Sequence, residues 1–479
     1  MSPPEFQIPT LLSPLECSQF WNSVKLPPNH PEVAPDLGWN LAISPLELSQ
    51  MIIEPRNQFL NTKSSSHDFL SISNRSQWSW NPNGDTFLNT LGYFWWTRGK
   101  GTYVALDADG TVAMFVPFIN THFENTWSPQ LLTACQKSLH KFSRQEPLLQ
   151  NVKQWNAVGC LLANEYPVQI RGGGWGTFLN LFGEVARKLK KRVDFFFHRY
   201  DHPVATLYGY EPYYHLTGNF QTLVPGMPSP PRPLDWYMIL GNSCGELYVE
   251  KPIPTADEWQ LATQAYFPQE CTNSYIDSIV NIPWKKRISK AIWRGTLTGC
   301  GINEQTNMRL KLATMNQPDL MNVGLTGWGG RMKVSSGKKV GKIPVGYLRK
   351  KYGLDKLEPM RREEQQQYKY VIDLPGNNEN PGYRFAWEML AGFVILWVGE
   401  PIRAKDGTGL RRLNLWFWEQ LKPWEHYVPV SWDLTDLEER IQWCQENDAK
   451  AEKIAKNAQK LAKKLFQKEN LVKEVVKYF

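Results

Sequence analysis

The chain has 479 residues, 42% apolar and 21% charged; this excludes a disordered or fibrous class and exceeds what one hydrophobic core commonly serves, so two domains are expected. The net charge of +8 resides between Arg331 and Lys369, where twelve Lys/Arg face four Asp/Glu, which points to a solvated basic loop or an acidic contact rather than a nucleic-acid-binding face. Seven scattered cysteines, none in a CxxC, argue against a disulfide framework and a zinc site.

The opening "MSPPEFQIPT" lacks the basic-then-apolar build of a signal peptide, and the closing "VVKYF" is no retention tag. The longest strongly apolar run, 389–398, is too short to span a bilayer, so a soluble, cytoplasmic protein without a membrane span is expected. Residues 1–80 are rich in Pro, Ser and Asn and read as an extension of unknown role.

"GTYVALDADGTVAMFVPF" predicts two strands joined at Asp107–Gly110. The Asp-x-Asp there has a metal-binding spacing, yet it runs straight into Gly110, which is turn chemistry. Next, "RGGGWGTFLNLFGEVARKLKKRVDFFFHRYDHP" predicts a glycine-rich turn, a helix with Phe178, Phe182, Val185 and Leu189 on one face, and a buried strand, 193–197. Glycines 172–174 fit either a plain turn or close approach to a ligand.

After a proline-rich linker, "KAIWRG", "LMNVGL", "YKYVIDL", "FVILWV" and "HYVPV" read as strands, and "NMRLKLATMN" as a helix. Short apolar strands alternating with helices imply a parallel sheet covered on both faces. Thr435 and Glu438 have capping-box spacing ahead of a further helix. The final amphipathic stretch keeps Ile454, Ala458, Leu461 and Leu465 on one face, so it docks. The expected division is a first α/β domain over 81–285, a second α/β domain over 286–450, and a terminal helix over 451–479 packing back.

In a parallel sheet, ligands collect at the carboxyl ends of strands. Two such ends carry arginines. One is "DLPGNNENPGYRF", with Gly376 in the loop and then Tyr383, Arg384 and Phe385; the other is "IWRGTLTG", with Arg294, Gly295 and Thr296, followed by Arg309 at the start of a helix. A glycine turn with a surface arginine explains either alone. Both together suit a diphosphate, since guanidinium forks pair with phosphate oxygens. The strand "FFF" ends in His198, Arg199, Tyr200, Asp201 and His202. Asp201 there is either a turn residue or a general base.

The stretches "WRGTLTG", "TNMRLKLA", "YKYVIDLPGN", "YRFAWEML" and "LKPWEHYVPVSWDLTDLEERIQWCQENDAKAEKIAKNAQ" resemble glycosyltransferase family 90, the group of the CAP10 and Rumi-type protein O-glucosyltransferases; "VALDADGTVAMFVPFINTHFENTW" resembles its viral branch. The likeness runs over roughly 85–465. It implies a GT-B architecture, with two Rossmann-like domains facing across a cleft. It also implies an inverting, metal-independent transfer of glucose or xylose from a UDP-sugar to a hydroxyl on a glycan or glycoprotein. No cofactor beyond the donor is implied.

By this resemblance Asp201 falls on the catalytic base. Arg294, Thr296, Arg384 and Phe385 fall in the donor motifs, where Gly295, Arg309, Gly376 and Tyr383 join them. His198, Tyr200, His202 and Glu211 are the acceptor-side candidates. His198 and Tyr200 stand where members commonly carry Asn and Arg, which bears on acceptor identity. A non-catalytic carbohydrate-binding protein is the alternative. A nicotinamide-dependent dehydrogenase is disfavoured, because no GxGxxG follows a strand with an acidic residue about 20 positions on.

Overall fold

The computed structural model describes residues 49–66, 68, 80–94, 102–110, 112–117, 175–198, 204–209, 233–242, 248–263, 278–298, 304, 307–315, 317–328, 331–333, 340–342, 345–374, 376, 384–399 and 415–479. These form two compact units, 49–263 together with 466–479, and 278–465. Glycines 172–174 and the proline-rich linker at 225–232 lie outside the described residues.

The amino-terminal unit holds helices α1 (Glu54–Leu60) and α2 (Thr86–Tyr93), strands β1 (Thr102–Leu106) and β2 (Val112–Pro117), helix α3 (Trp175–Leu189), strands β3 (Val193–Phe197), β4 (Ile239–Gly241) and β5 (Lys251–Pro252), and helix α4 (Ala256–Thr263). Asp85 caps α2, its Oδ1 accepting from the amides of Phe87 and Leu88 at 2.7 and 3.3 Å. The sheet order is β2-β1-β3-β4-β5, antiparallel across β2-β1-β3 and parallel beyond. The expected hairpin is present: Gly110 closes it at φ 85°, its amide donating to Asp107 O at 2.9 Å.

Alternation along β3 sends Phe195 and Phe197 to one face and Asp194 and Phe196 to the other. Phe178 and Phe182 of α3 pack their rings on Phe197 and Phe195. Phe196 stacks on Phe94 and Phe87. Asp194, buried on that second face, receives Arg56 Nε at 2.7 Å, Tyr103 Oη at 2.9 Å and Tyr237 Oη at 2.5 Å. Burial pulls the Arg56 guanidinium down, but the Asp194 charge more than offsets this and the net shift is upward.

The second unit contains β6 (Ile288–Leu297), α5 (Met308–Thr314), β7 (Met321–Trp328), the hairpin of β8 (Arg331–Lys333) and β9 (Val340–Lys342), α6 (Val345–Tyr352), α7 (Arg362–Gln365), β10 (Tyr368–Asp373), α8 (Phe385–Leu390), β11 (Val394–Val398), β12 (Val428–Val430), α9 (Leu437–Glu446) and α10 (Asp448–Leu465). Its sheet runs β12-β11-β10-β6-β7 with every pairing parallel. Counted along the chain, that is the order 2-1-3-4-5 of a doubly wound sheet, whose order reverses between β6 and β10. Ala291, Ile292, Trp293 and Leu297 of β6, Tyr370, Val371 and Ile372 of β10, and every residue of β11 are buried, as strands covered on both faces require.

In α10, Ile454, Ala458 and Leu465 are buried against α8 and β11, so the amphipathic face docks as its periodicity predicts. The helix ends at Leu465, and a separate helix, α11 (Lys468–Val476), packs on α3 in the amino-terminal unit. There Lys468 Nζ meets Glu184 Oε1 at 2.9 Å. The capping box expected at Thr435 and Glu438 does not form. The helix starts at Leu437 after Asp436, and Thr435 Oγ1 donates instead to Asp433 Oδ1 at 2.8 Å, a local turn that competes with the cap. Arg349, Lys350, Lys351, Lys356 and Arg361 of the basic segment are exposed.

Candidate functional site

The reversal between β6 and β10 opens the carboxyl edge of the sheet there, and both arginine-bearing strand ends are its two sides. Asn307 caps α5, its Oδ1 accepting from the Leu310 amide at 3.1 Å, and this turn places Arg309 beneath the gap. Arg309 Nη1 donates to Thr296 O at 2.9 Å and Nη2 to Leu374 O at 3.0 Å, so one guanidinium bridges the ends of both strands. Burial, then the neighbouring charge of Arg384, pull Arg309 down to about 10, with Asp373 opposing. Gly376 leaves room for this bridge. A Cβ there would sit 2.9 Å from both Arg309 Nη2 and Thr298 Oγ1.

Arg384 arrives from the other side. It is the residue immediately before α8, and its Nη1 donates to Arg294 O at 3.2 Å while its Nε lies 3.0 Å from Glu388 Oε1. Two guanidinium groups, from 309 and 384, thus meet at one strand edge, close enough for each charge to be felt by the other. Like charges held together in a half-buried position favour an anion between them.

Other expected residues are placed differently. The Arg294 guanidinium does not reach the carboxyl edge. It turns back along the sheet, Nη1 to Asn322 O at 2.9 Å and Nη2 to Asn322 Oδ1 at 2.8 Å, because Asn322 lies opposite Ile292, two residues behind. Its carbonyl oxygen is what it offers Arg384. Gly295 packs on its neighbour, with a Cβ there meeting the Trp293 ring at 2.7 Å. Thr296 contributes a carbonyl to Arg309, and Phe385 is buried with its ring beside Phe417. The helix after the loop has six residues and begins at Phe385, too short for its dipole to be the main anion attractor.

In the amino-terminal unit, His198 is wholly buried, with Nε2 3.3 Å from Glu250 Oε1. Gly241 makes the space, since a Cβ there would meet His198 Nε2 at 3.0 Å. This imidazole, expected on the acceptor side, is enclosed beneath the end of β3. Glu250 Oε1 also accepts from the amides of Val204 and Ala205 at 2.5 and 2.6 Å. Asp201, Tyr200, His202, Glu211 and Tyr383 lie outside the described residues. Asp107 holds Arg192 Nε at 3.3 Å within its hairpin, in keeping with the turn reading of Asp-x-Asp.

Sequence reasoning missed Asp373 and Glu388, both buried beside the arginines. Glu388 stands alone as a charge in "FAWEML", which was the available signal.

Residues 269–479, which contain this whole edge, match the model of glycosyl transferase family 90. The segment 269–479 belongs to that family. Among relatives of the chain is uncharacterized protein 035R of Invertebrate iridescent virus 3, 31% identical over 398 residues, covering 78% of this chain and 34% of that protein. Another is protein O-glucosyltransferase 3 of Homo sapiens, 27% identical over 253 residues, covering 52% of this chain and 41% of that protein. The chain thus spans about a third of the length of the viral relatives it matches. A solved structure, Anabaena Alr3699/HepE in complex with UDP-glucose, is similar at 13% identity and TM-score 0.25 over 47% of this chain and 52% of that one, too low a likeness to bear on the fold. Among the described residues no helix is long and apolar enough to cross a membrane.

Proposed function

We propose that the protein is a glycosyltransferase of GT-B type that moves a sugar from a UDP-sugar to an acceptor hydroxyl. The observation that carries this is the pairing of Arg309 and Arg384 at the β6/β10 reversal of a family 90 segment. The donor's diphosphate sits on that edge. Arg384 meets phosphate oxygens directly, and Arg309, whose donors hold the strand ends, adds charge from behind. Thr296, Gly295 and Gly376 shape the backbone around it, Tyr383 and Phe385 flank it, and Arg294 enters by holding Arg384 through its carbonyl.

The reaction is a single displacement. Asp201, following β3, takes the proton of the acceptor hydroxyl, whose oxygen attacks the anomeric carbon opposite the leaving group and inverts it. The bond to UDP breaks, and the charge that develops on the diphosphate is stabilised by the two fixed guanidinium groups, a contribution of about 3 kcal/mol for one well-placed donor. Tyr200, His202 and Glu211 belong to the acceptor side, with a glycan or glycoprotein hydroxyl as acceptor. UDP-glucose is the first donor in this reading, in keeping with relatives named protein O-glucosyltransferase, and UDP-xylose the second. No metal is needed in this scheme.

Purified protein incubated with a panel of UDP-sugars tests it. Slow UDP release from UDP-glucose or UDP-xylose, undiminished by EDTA, is the expected result. UDP binding without release from any donor would favour a non-catalytic carbohydrate-binding protein, and loss of release in EDTA would overturn metal independence.

A further inference from the structure

Helix α8 is apolar except for Glu388, which is 0% exposed. Its side chain has an ion pair with Arg384 Nε at 3.0 Å, and among the described residues neither carboxyl oxygen receives a hydrogen bond. Asp373, at the end of β10, is a second buried carboxyl nearby. Burial, and then the Asp373 charge, push the Glu388 carboxyl well above the usual range, with Arg384 pulling the other way.

A carboxyl group enclosed in this way is a poor choice for stability. An apolar side chain of similar volume commonly fills such a position at no loss, whereas an acid retained there has a task. The geometry shows which. Arg384 is held at two points, by Glu388 one turn along its own helix and by the Arg294 carbonyl on β6. Without the first contact, its side chain would pivot about the second.

Resting on the donor-site reading above, we infer that Glu388 is a positioning residue. It holds the Arg384 guanidinium at the carboxyl edge in the orientation that meets the diphosphate. It does not touch the ligand.

Calorimetric titration with UDP, beside thermal unfolding, tests this in Glu388→Met, Glu388→Gln, Arg384→Met and the double variant Arg384→Met/Glu388→Met. E388M is expected to unfold at or above the wild-type temperature while binding UDP about tenfold more weakly, the equivalent of one well-placed hydrogen bond. A purely structural role would not separate the two readouts. E388Q, which keeps a polar oxygen beside Arg384 Nε, loses less than E388M. Adding E388M to R384M changes affinity by less than about twofold, because the partner it positions is gone.

A folded E388M that binds UDP as wild type does, while R384M is weakened, overturns the inference and leaves the donor site standing. An equal loss from E388M on both backgrounds also overturns it. If R384M itself binds UDP normally, the donor-site reading fails and the inference with it. Should E388M not fold, E388Q on wild-type and R384M backgrounds completes the same cycle: a loss on the first alone supports the inference, and equal losses overturn it.

Discussion

Arg384 donates from Nη1 to the carbonyl oxygen of Arg294 at 3.2 Å, across 90 residues of sequence. One hydrogen bond thereby joins the start of α8 to the strand on the far side of the order reversal. With Arg309 spanning the same gap from Thr296 O to Leu374 O, the edge where β6 and β10 end is cross-braced by two cations. Its shape and its charge therefore have one origin, and variants there test both.

Gly376→Ala is expected to disturb the brace directly. The new Cβ would lie 2.9 Å from Arg309 Nη2, and that amine cannot swing away cheaply because it is bonded to Leu374 O. A loss of about 1–3 kcal/mol in urea unfolding is expected from the crowding. UDP affinity should fall with it, and unchanged affinity by calorimetry would place the ligand elsewhere.

Arg309→Met removes both donors and leaves the Thr296 and Leu374 carbonyls without them. Loss of two charge-assisted bonds predicts destabilisation of about 2–4 kcal/mol. Equilibrium unfolding followed by tryptophan fluorescence would measure it, and a change under half a kilocalorie, roughly the size of a surface substitution, would mean the bridge is dispensable.

Arg56→Leu strands Asp194 in the core of the amino-terminal unit, where, among the described residues, the Tyr103 and Tyr237 hydroxyls remain as its donors. Removing one partner of a buried pair costs about 3–5 kcal/mol. The double variant Arg56→Leu/Asp194→Leu should recover part of that loss, and additive losses in denaturant titrations would refute the coupling.

Glu388→Gln carries a signed pH dependence. The folded-state carboxyl titrates well above its ordinary 4.5, chiefly from burial and then from Asp373, so from that pH upward the native state binds more protons than the unfolded one. Stability contributed by the protonated group is then full below 4.5 and is lost as pH rises toward the folded value. Glutamine does not titrate. E388Q should gain on wild type as pH rises above 4.5 in urea unfolding, and a difference independent of pH would contradict the upward shift of the Glu388 carboxyl.

Asp201→Asn is expected to keep UDP affinity while losing about 100-fold or more in sugar transfer, since a positioned base supplies that order of rate. Arg384→Ala should show the complementary result, with UDP binding weakened. Near wild-type turnover in Asp201→Asn would remove the aspartate from the mechanism.

Much of the architecture was legible because its signals are local. The period of apolar residues marked β3, β6, β10 and β11, Asp107–Gly110 announced a hairpin, and the face of Ile454, Ala458 and Leu465 announced docking. The strand-end position of Arg384 followed from the parallel sheet those strands imply, whereas Arg309, expected at the start of the next helix, reaches the same edge through its side chain. The capping box at Thr435 was misread because a local turn to Asp433 competes for the same hydroxyl, and spacing cannot say which partner wins.

What the sequence determined by itself was which segments are strands and helices and which arginines follow strand ends, since both depend on residues a few positions apart. Tertiary structure decided where side chains point. It turned the Arg294 guanidinium back onto Asn322, enclosed His198 against Glu250, and set Arg384 between Glu388 and a carbonyl 90 positions upstream. Such choices rest on register between strands and on which buried polar group finds a partner, and neither is encoded within any one stretch of chain.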